Sequence, residues 1–466
     1  MSIYKPCGIR GDADRELSAD LYRSWGRSLG SELSANAKFV VGGDMRASTP
    51  RFLAALVEGL CQAGLDVVDL GQIPTPMIYY ARHRLNAEGC AVVTGSHRPG
   101  NVNGLRWMIG NRPPMPDDVN ALQVAAEKPP GNLLSRQRRA ARTIDISFDY
   151  VANLQEIWID AIGAQLHVVI DAMHGAWLGR ARRYLHAIFP QCLITAINDA
   201  PDADVLGQTP DCSRWQNLHD LCDAVYRERA HLGVAFDGDG DQIALVDDQG
   251  MALTDEETAW ILMESLGKAM SNEKFVCDFR FSDRIGQHAK QLGAEPLAER
   301  SGLAFIRKRM AAANAVFAAE LGGHYCFREM QGCDDGFYAA CRVVAFLHSS
   351  QKTMAQWRWQ CPPMYITPEL RICATLDLQA RIMEKIRQDW SSFPQRVIDG
   401  IRIDTPGGWF LVRASAADSA LTFRFESLDW PALEHLVKRV CETLPDCGKE
   451  LWAAYVTAMG LDAVRQ

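Results

Sequence analysis

Three aspartates alternate with glycine in Asp237-Gly238-Asp239-Gly240-Asp241, directly after the apolar run Leu232-Gly233-Val234-Ala235-Phe236. Carboxylates spaced in this way, with glycine allowing tight bends between them, can fold around one small hard cation and leave positions for water or phosphate. The nearest rival is a calcium-binding EF-hand loop. That loop requires glycine at its sixth position, where this chain has Gln242, and helices rather than strands on both sides. Without a counter-ion, three like charges packed so closely repel one another.

A second cluster, Thr94-Gly95-Ser96-His97-Arg98-Pro99, follows the apolar Ala91-Val92-Val93. Such a strand presents the Ser96 hydroxyl at the carboxyl edge of a sheet, where α/β folds bind ligands. An adjacent histidine is not expected to face the serine as a triad base does. Glu320-Leu321-Gly322-Gly323-His324 puts a carboxylate for sugar hydroxyls, a flexible turn and a proton carrier for neutral pH on one loop. Arg413-Ala414-Ser415 joins an arginine fork to a hydroxyl and turn amides, a reasonable phosphate cradle. Taken singly, each of these last three clusters also reads as an ordinary turn or surface segment.

Strand-like runs must position these groups. Phe39–Gly43, Leu65–Leu70, Ala91–Val93, Val168–Asp171, Leu232–Phe236 and Ile243–Val246 read as buried strands, and Arg51–Ala63 as a helix between the first two. Alternation of this kind implies α/β layers with largely parallel sheets. The last hundred residues differ: Ile398–Asp404 and Ala420–Phe425 read as antiparallel strands and Trp430–Thr443 as a closing helix. Punctuated loops fall at Asn111–Pro116 and Lys128–Asn132, and junctions after Val246 and near Cys361-Pro362-Pro363.

A length of 466 residues calls for several cores. The net charge of −8 argues against a nucleic-acid surface, which requires clustered positive charge. No run of about 18 apolar residues is present for a membrane helix, and the N-terminus lacks a signal-peptide core. The 14 cysteines are scattered without a Cys-x-x-Cys pair, which fits free thiols and a cytoplasmic protein.

In this order the four clusters resemble the α-D-phosphohexomutase family, closest to its bacterial phosphomannomutase/phosphoglucomutase branch. Gly8-Ile9-Arg10-Gly11, Gly42-Gly43-Asp44-Met45-Arg46-Ala47-Ser48, Pro74-Thr75-Pro76 and Asp334-Asp335-Gly336 are similar to further segments of that family. The resemblance implies a four-domain, heart-shaped α/β architecture: three similar α/β domains with mixed sheets, 1–145, 146–247 and 248–362, then an α+β domain, 363–466. No internal sequence repeat is visible to establish the threefold similarity independently.

It further implies an intramolecular phosphotransferase that interconverts hexose 1- and 6-phosphates of mannose or glucose through phosphoserine and a bisphosphate intermediate. Ser96, His97, Arg10 and His324 would be catalytic. Mg²⁺ would sit between Ser96 and Asp237, Asp239 and Asp241, while Glu320, Gly322, Gly323, Arg413, Ser415 and Arg106 would bind substrate. Neither a nucleic acid nor a membrane is expected as a partner.

The chain also departs from the family pattern. Arg98 replaces an asparagine, Gln242 the metal-loop arginine, Gly322 the sugar-loop serine and Leu303 a histidine, while Arg106 stands for a lysine and is a poor proton shuttle. Ala416-Ala417-Asp418-Ser419 replaces polar residues and a proline, and should weaken phosphate binding. Two other readings follow from these departures: a divergent, weakly active relative that binds a sugar phosphate or a protein partner, and a metal-dependent phosphatase that has lost phosphoryl return.

Overall fold

The protein is described by a computed structural model that covers residues 2–127, 139–200, 209–415 and 419–462. The expected loop at Lys128–Asn132 and the segment Ala416–Asp418 lie outside the described residues. Four sheets follow one another along the chain. The first runs, edge to edge, Tyr4–Lys5, Gly8–Asp12, Val102–Ile109, Gly89–Val93, Lys38–Gly43, Asp66–Gln72 and Arg142–Thr143. The second runs Ile243–Val246, Leu232–Phe236, His167–Asp171 and Leu193–Ile197. In the third the order is Glu295–Glu299, Lys274–Asp278, Phe317–Glu320, His324–Phe327 and Cys333–Asp334.

Each of these sheets has a parallel centre and an antiparallel return at one side, so they are mixed. The returns reveal the threefold similarity that the sequence conceals. Gly89–Val93 turns back into Val102–Ile109, Leu232–Phe236 into Ile243–Val246, and Phe317–Glu320 into His324–Phe327. The Ser96, Asp237–Asp241 and Gly322-Gly323 segments are the three turns between them. All three incoming strands are buried throughout, because helices cover both faces of each sheet.

The fourth sheet is antiparallel, with Gly408–Ser415 at its centre between Ile401–Thr405 and Ala420–Ser427. A strand was expected from Ile398; it begins at Ile401. Gly400 adopts φ +103, and a Cβ there would lie 2.3 Å from the Val412 carbonyl oxygen, so the chain bends just before pairing begins. Trp430–Thr443 is helical as expected, and Asp429 caps it by accepting from the Ala432 N–H.

One apolar core runs without interruption from Val40 and Met77 through Trp177 and Phe236 to Phe317 and Phe337, knitting the first three sheets together. The fourth sheet has its own core around Phe410, Phe423 and Leu433. Phe279 packs with Trp409 and Leu411 as a small bridge between the third and fourth sheets. Among the described residues no helix is long and apolar enough to cross a membrane.

Candidate active site

Asp44 and Arg46 shape the serine turn. The buried Asp44 carboxylate accepts from Thr94 Oγ1 at 2.8 Å, the Gly95 N–H at 2.9 Å and Thr49 Oγ1 at 2.7 Å, and pairs with Arg46. Arg46 in turn donates to the Ser96 carbonyl at 2.9 Å and to that of Arg98. Held at both ends, Ser96 takes φ +51, a backbone state uncommon for a residue other than glycine. Its Oγ lies 3.0 Å from Asp237 Oδ2. His97 Nδ1 comes within 3.4 Å of the same oxygen, nearer than sequence adjacency led us to expect, because the left-handed bend turns both side chains to one side. Burial lowers the His97 pKa to about 4, leaving a neutral ring at pH 7.

Asp237, Asp239 and Asp241 are fully buried. The turn that carries them fits tightly: a Cβ on Gly238 would lie 2.5 Å from the Ser96 carbonyl oxygen. Asp237 Oδ1 accepts from the Gly240 and Gln242 N–H groups at 2.9 and 3.1 Å. Thr75 holds Asp239 twice, donating its N–H to the carbonyl at 2.9 Å and its hydroxyl to Oδ2 at 2.8 Å. Arg106 donates to Asp241 Oδ2 at 2.5 Å and stands 3.6 Å from Asp239 Oδ2.

One oxygen from each aspartate falls within 4.8 Å of the others. Asp239 Oδ1 and Asp241 Oδ1 are buried with no hydrogen-bond partner. Such orphaned acceptors, all from hard oxygen donors, fit a divalent cation of the magnesium type. Electrostatics agree. Burial, then the neighbouring Asp239 and Asp241, push the Asp237 carboxyl well up. Asp241 is pushed up to about 8 by burial, Asp239 and Asp334. Asp239 is held low against its burial, chiefly by Arg106. Arg106, Arg10 and His324 act on Asp239 and Asp241, yet Asp237 and Asp241 stay raised.

His324 closes the cluster. Its Nδ1 is 2.9 Å from Asp334 Oδ2 and 3.7 Å from Asp241 Oδ1. Burial lowers its pKa, but Asp241 and Asp334 outweigh this and raise it to about 9. Arg10 lies on the strand beside Arg106, opposite Gly104. Burial, then repulsion from Arg106, lowers it to about 10, and it forms no ion pair among the described residues.

A second group of residues lies alongside. Glu320 sits directly across the hairpin from His324 and accepts from the Gly302 N–H at 2.7 Å. Arg280 stands 3.8 Å from Glu320, pairs with Asp278 and reaches Glu369 at 2.9 Å. Glu369 also takes Arg413 at 3.1 Å, and Asp399 takes the other end of Arg413 at 2.8 Å. Glu320 and Arg413 are therefore linked through Arg280 and Glu369. Ser415 ends its strand opposite Ala420.

Residues 2–128, 148–250 and 254–365 match the profiles for phosphoglucomutase/phosphomannomutase alpha/beta/alpha domains I, II and III respectively. A phosphomannomutase/phosphoglucomutase of Pseudomonas aeruginosa is 30% identical over 440 residues, 93% of this chain and 94% of that protein. The chain belongs to the phosphoglucomutase/phosphomannomutase family. A phosphomannomutase/phosphoglucomutase of Pseudomonas syringae pv. tomato is 31% identical, with 93% of each chain covered. A crystal structure of a phosphoglucomutase/phosphomannomutase family protein from Burkholderia thailandensis superposes with a TM-score of 0.83 at 26% identity, covering 95% of this chain and 98% of that one. As a phosphoglucomutase/phosphomannomutase family member, the protein is a phosphohexomutase acting on hexose phosphates.

Several residues of this phosphohexomutase site were not picked out as such from sequence. Asp44, Arg46, Thr75 and Asp334 lie in segments that matched the family, yet nothing local states that they brace the serine turn, the Asp237–Asp241 turn and His324. Arg280, Glu369 and Asp399 gave no signal, because their partners lie far away in the chain. Two departures from the family pattern turn out to be neighbours. A Cβ on Gly322 would lie 3.5 Å from Gln242 Nε2, and the Gln242 Oε1 is buried without a partner.

Proposed function

We propose that the enzyme interconverts the 1- and 6-phosphates of mannose, glucose or both, storing a phosphoryl group on Ser96. Phosphoryl transfer gains most from positioning and charge neutralisation. On this reading Ser96 Oγ gives its phosphoryl group to the free hydroxyl of the sugar phosphate, forming a hexose bisphosphate. After the intermediate turns round, Ser96 Oγ takes back the other phosphoryl group. Arg10 and Arg106 neutralise the oxygens of the group in flight. His324, oriented by Asp334, and the neutral His97 ring hold or move the proton of the reacting hydroxyl. Glu320 accepts hydrogen bonds from sugar hydroxyls, with the Gly322-Gly323 turn allowing close approach. Arg413 and Ser415 grip the phosphate that stays behind.

Asp237, Asp239 and Asp241 would hold Mg²⁺ against the serine phosphate, where it supplies positive charge that Arg106 alone cannot. The observation that carries this reading is the 3.0 Å approach of Ser96 Oγ to Asp237 Oδ2, which puts nucleophile and carboxylates in one pocket. We divide the chain into units at 1–145, 146–247, 248–362 and 363–466, supported by the four successive sheets. Free cysteines throughout the chain support a cytoplasmic setting.

Intact mass of protein purified without phosphatase treatment is the test, with peptide mapping and a paired assay on mannose and glucose 1-phosphates. One phosphoryl group on Ser96 is expected, exchanging with the phosphate of isotope-labelled substrate on incubation. Turnover by Ser96→Ala would overturn the reading.

A further inference from the structure

The second sheet carries a cavity that the catalytic site does not use. It opens at the carboxyl ends of the parallel strands His167–Asp171 and Leu193–Ile197, the side of an α/β sheet that receives ligands, and holds about 200 Å³. It lies behind the metal turn, separated from it by Pro210, whose carbonyl accepts the Gly238 N–H at 3.0 Å.

At its floor is Asp171, only 1% exposed. Asp171 Oδ1 is fully engaged, accepting from the Met173 N–H at 2.8 Å and Asn198 Nδ2 at 3.0 Å. Its other oxygen, Oδ2, is buried and has no partner among the described residues. An orphaned carboxylate oxygen at this depth is costly, since burial removes water and returns nothing. Burial accordingly pushes the Asp171 carboxyl up to about 6. Around it the backbone is held in left-handed states at Met173, His174 and Asn198, with φ of 44, 53 and 49°.

The chemistry of the walls selects the occupant. Asp171 and Asp220 repel an anion. The acidic and histidine groups close enough to chelate a metal among the described residues lie elsewhere, at the catalytic site. His174 donates from Nδ1 to the Ala200 carbonyl at 2.7 Å, so this nitrogen is already engaged. Gln216 lines the cavity with an amide that both donates and accepts, while Asn217, whose Nδ2 donates to the Asp211 and Thr209 carbonyls, offers its Oδ1 as an acceptor. A hydroxyl is the group that can donate to Asp171 Oδ2 and accept from an amide at once. We infer that this cavity binds a small neutral polyol of the size of a free hexose, at a site distinct from the one that takes hexose phosphate.

The test is ligand-observed NMR on the full-length magnesium-loaded protein, with D-mannose, D-glucose and glycerol as probes, before and after hexose phosphate is added to saturation. At least one probe is expected to stay bound after saturation. Asp171→Asn should weaken it by about tenfold, the loss of one hydrogen bond to a charged acceptor. Gln216 is exposed at the mouth, so Gln216→Trp fills the cavity without disturbing the fold, and should abolish probe binding with mutase turnover retained. If Asp171→Asn fails to fold, Gln216→Trp decides alone. Loss of all probe signal on adding hexose phosphate, or undiminished binding in Gln216→Trp, overturns the inference. The mutase assay is run separately, so its failure is not mistaken for failure here.

Discussion

Two halves of the site are built on opposite plans. Around Ser96 the aspartates keep oxygens without partners, facing one another across a space a cation fits. Around Arg413 the charges are mostly paired: Glu369 and Asp399 lie at ion-pair distance from its guanidinium and Arg280 is held by Asp278 and Glu369, although Arg413 Nε and Asp399 Oδ2 lack a hydrogen bond among the described residues. The first half leaves room for an ion, whereas the second is held largely by its own ion pairs. On the proposed reading, the transfer machinery is preorganised, while Arg413 exchanges internal carboxylates for a phosphate. The cores fit this division, since one runs through the first three sheets and the fourth sheet has its own.

The largest effect expected is at the serine. Ser96→Ala should reduce turnover by on the order of 10⁴-fold or more, the scale of losing a nucleophile from a group that acts together, measured as kcat with protein of verified fold. Removal of divalent metal by a chelator should come next, abolishing turnover and lowering the midpoint of thermal unfolding. Adding back ion at about 100 times its Kd should restore about 2.7 kcal/mol of stability, because the ion binds only the folded chain. Unchanged melting on metal addition would break the contrast, for the aspartate half would then be complete as it stands.

Third is Arg413→Ala, which should lower kcat/KM roughly 10- to 150-fold, the worth of about 1.5–3 kcal/mol from charged hydrogen bonds, mostly through KM. Asp399→Asn, by loosening the internal hold on Arg413, should act in the opposite direction and lower KM severalfold. An Asp399→Asn enzyme with raised KM would show that the carboxylate helps the substrate instead of competing with it. The smallest effect belongs to the touching departures. Gly322→Ser places a side chain on a backbone at φ +103, a strain of about 1–3 kcal/mol, so the change should destabilise modestly while altering the ratio of mannose to glucose phosphate turnover. Gln242→Arg should alter that ratio without the strain.

What could be read from sequence followed the same boundary. Asp237 to Asp241 were legible because their chemistry is local, lying within a few residues just after an apolar strand, whereas Ser96, an ordinary turn when read alone, was legible only through the order of the clusters and the family they resemble. The strands themselves were legible from apolar runs, and so was the helix at Trp430–Thr443. Of the self-paired half only Arg413 was named, through its Arg-Ala-Ser cluster; Arg280, Glu369 and Asp399 were not, since they come from separate elements and meet it only in the fold. Nor was the start of the strand at Ile401, which depends on a close approach between Gly400 and Val412. His97 shows how backbone geometry overrides spacing: its approach to Ser96 Oγ depends on a left-handed bend that residue type alone does not announce.

The double hold of Thr75 on Asp239, and the seating of Gly238 against the Ser96 carbonyl, join segments far apart along the polypeptide. A nascent chain that has emerged only as far as Ser96 therefore lacks the aspartate turn that faces its hydroxyl. The contact between Ser96 Oγ and Asp237 can form only after more than half of the protein has left the ribosome.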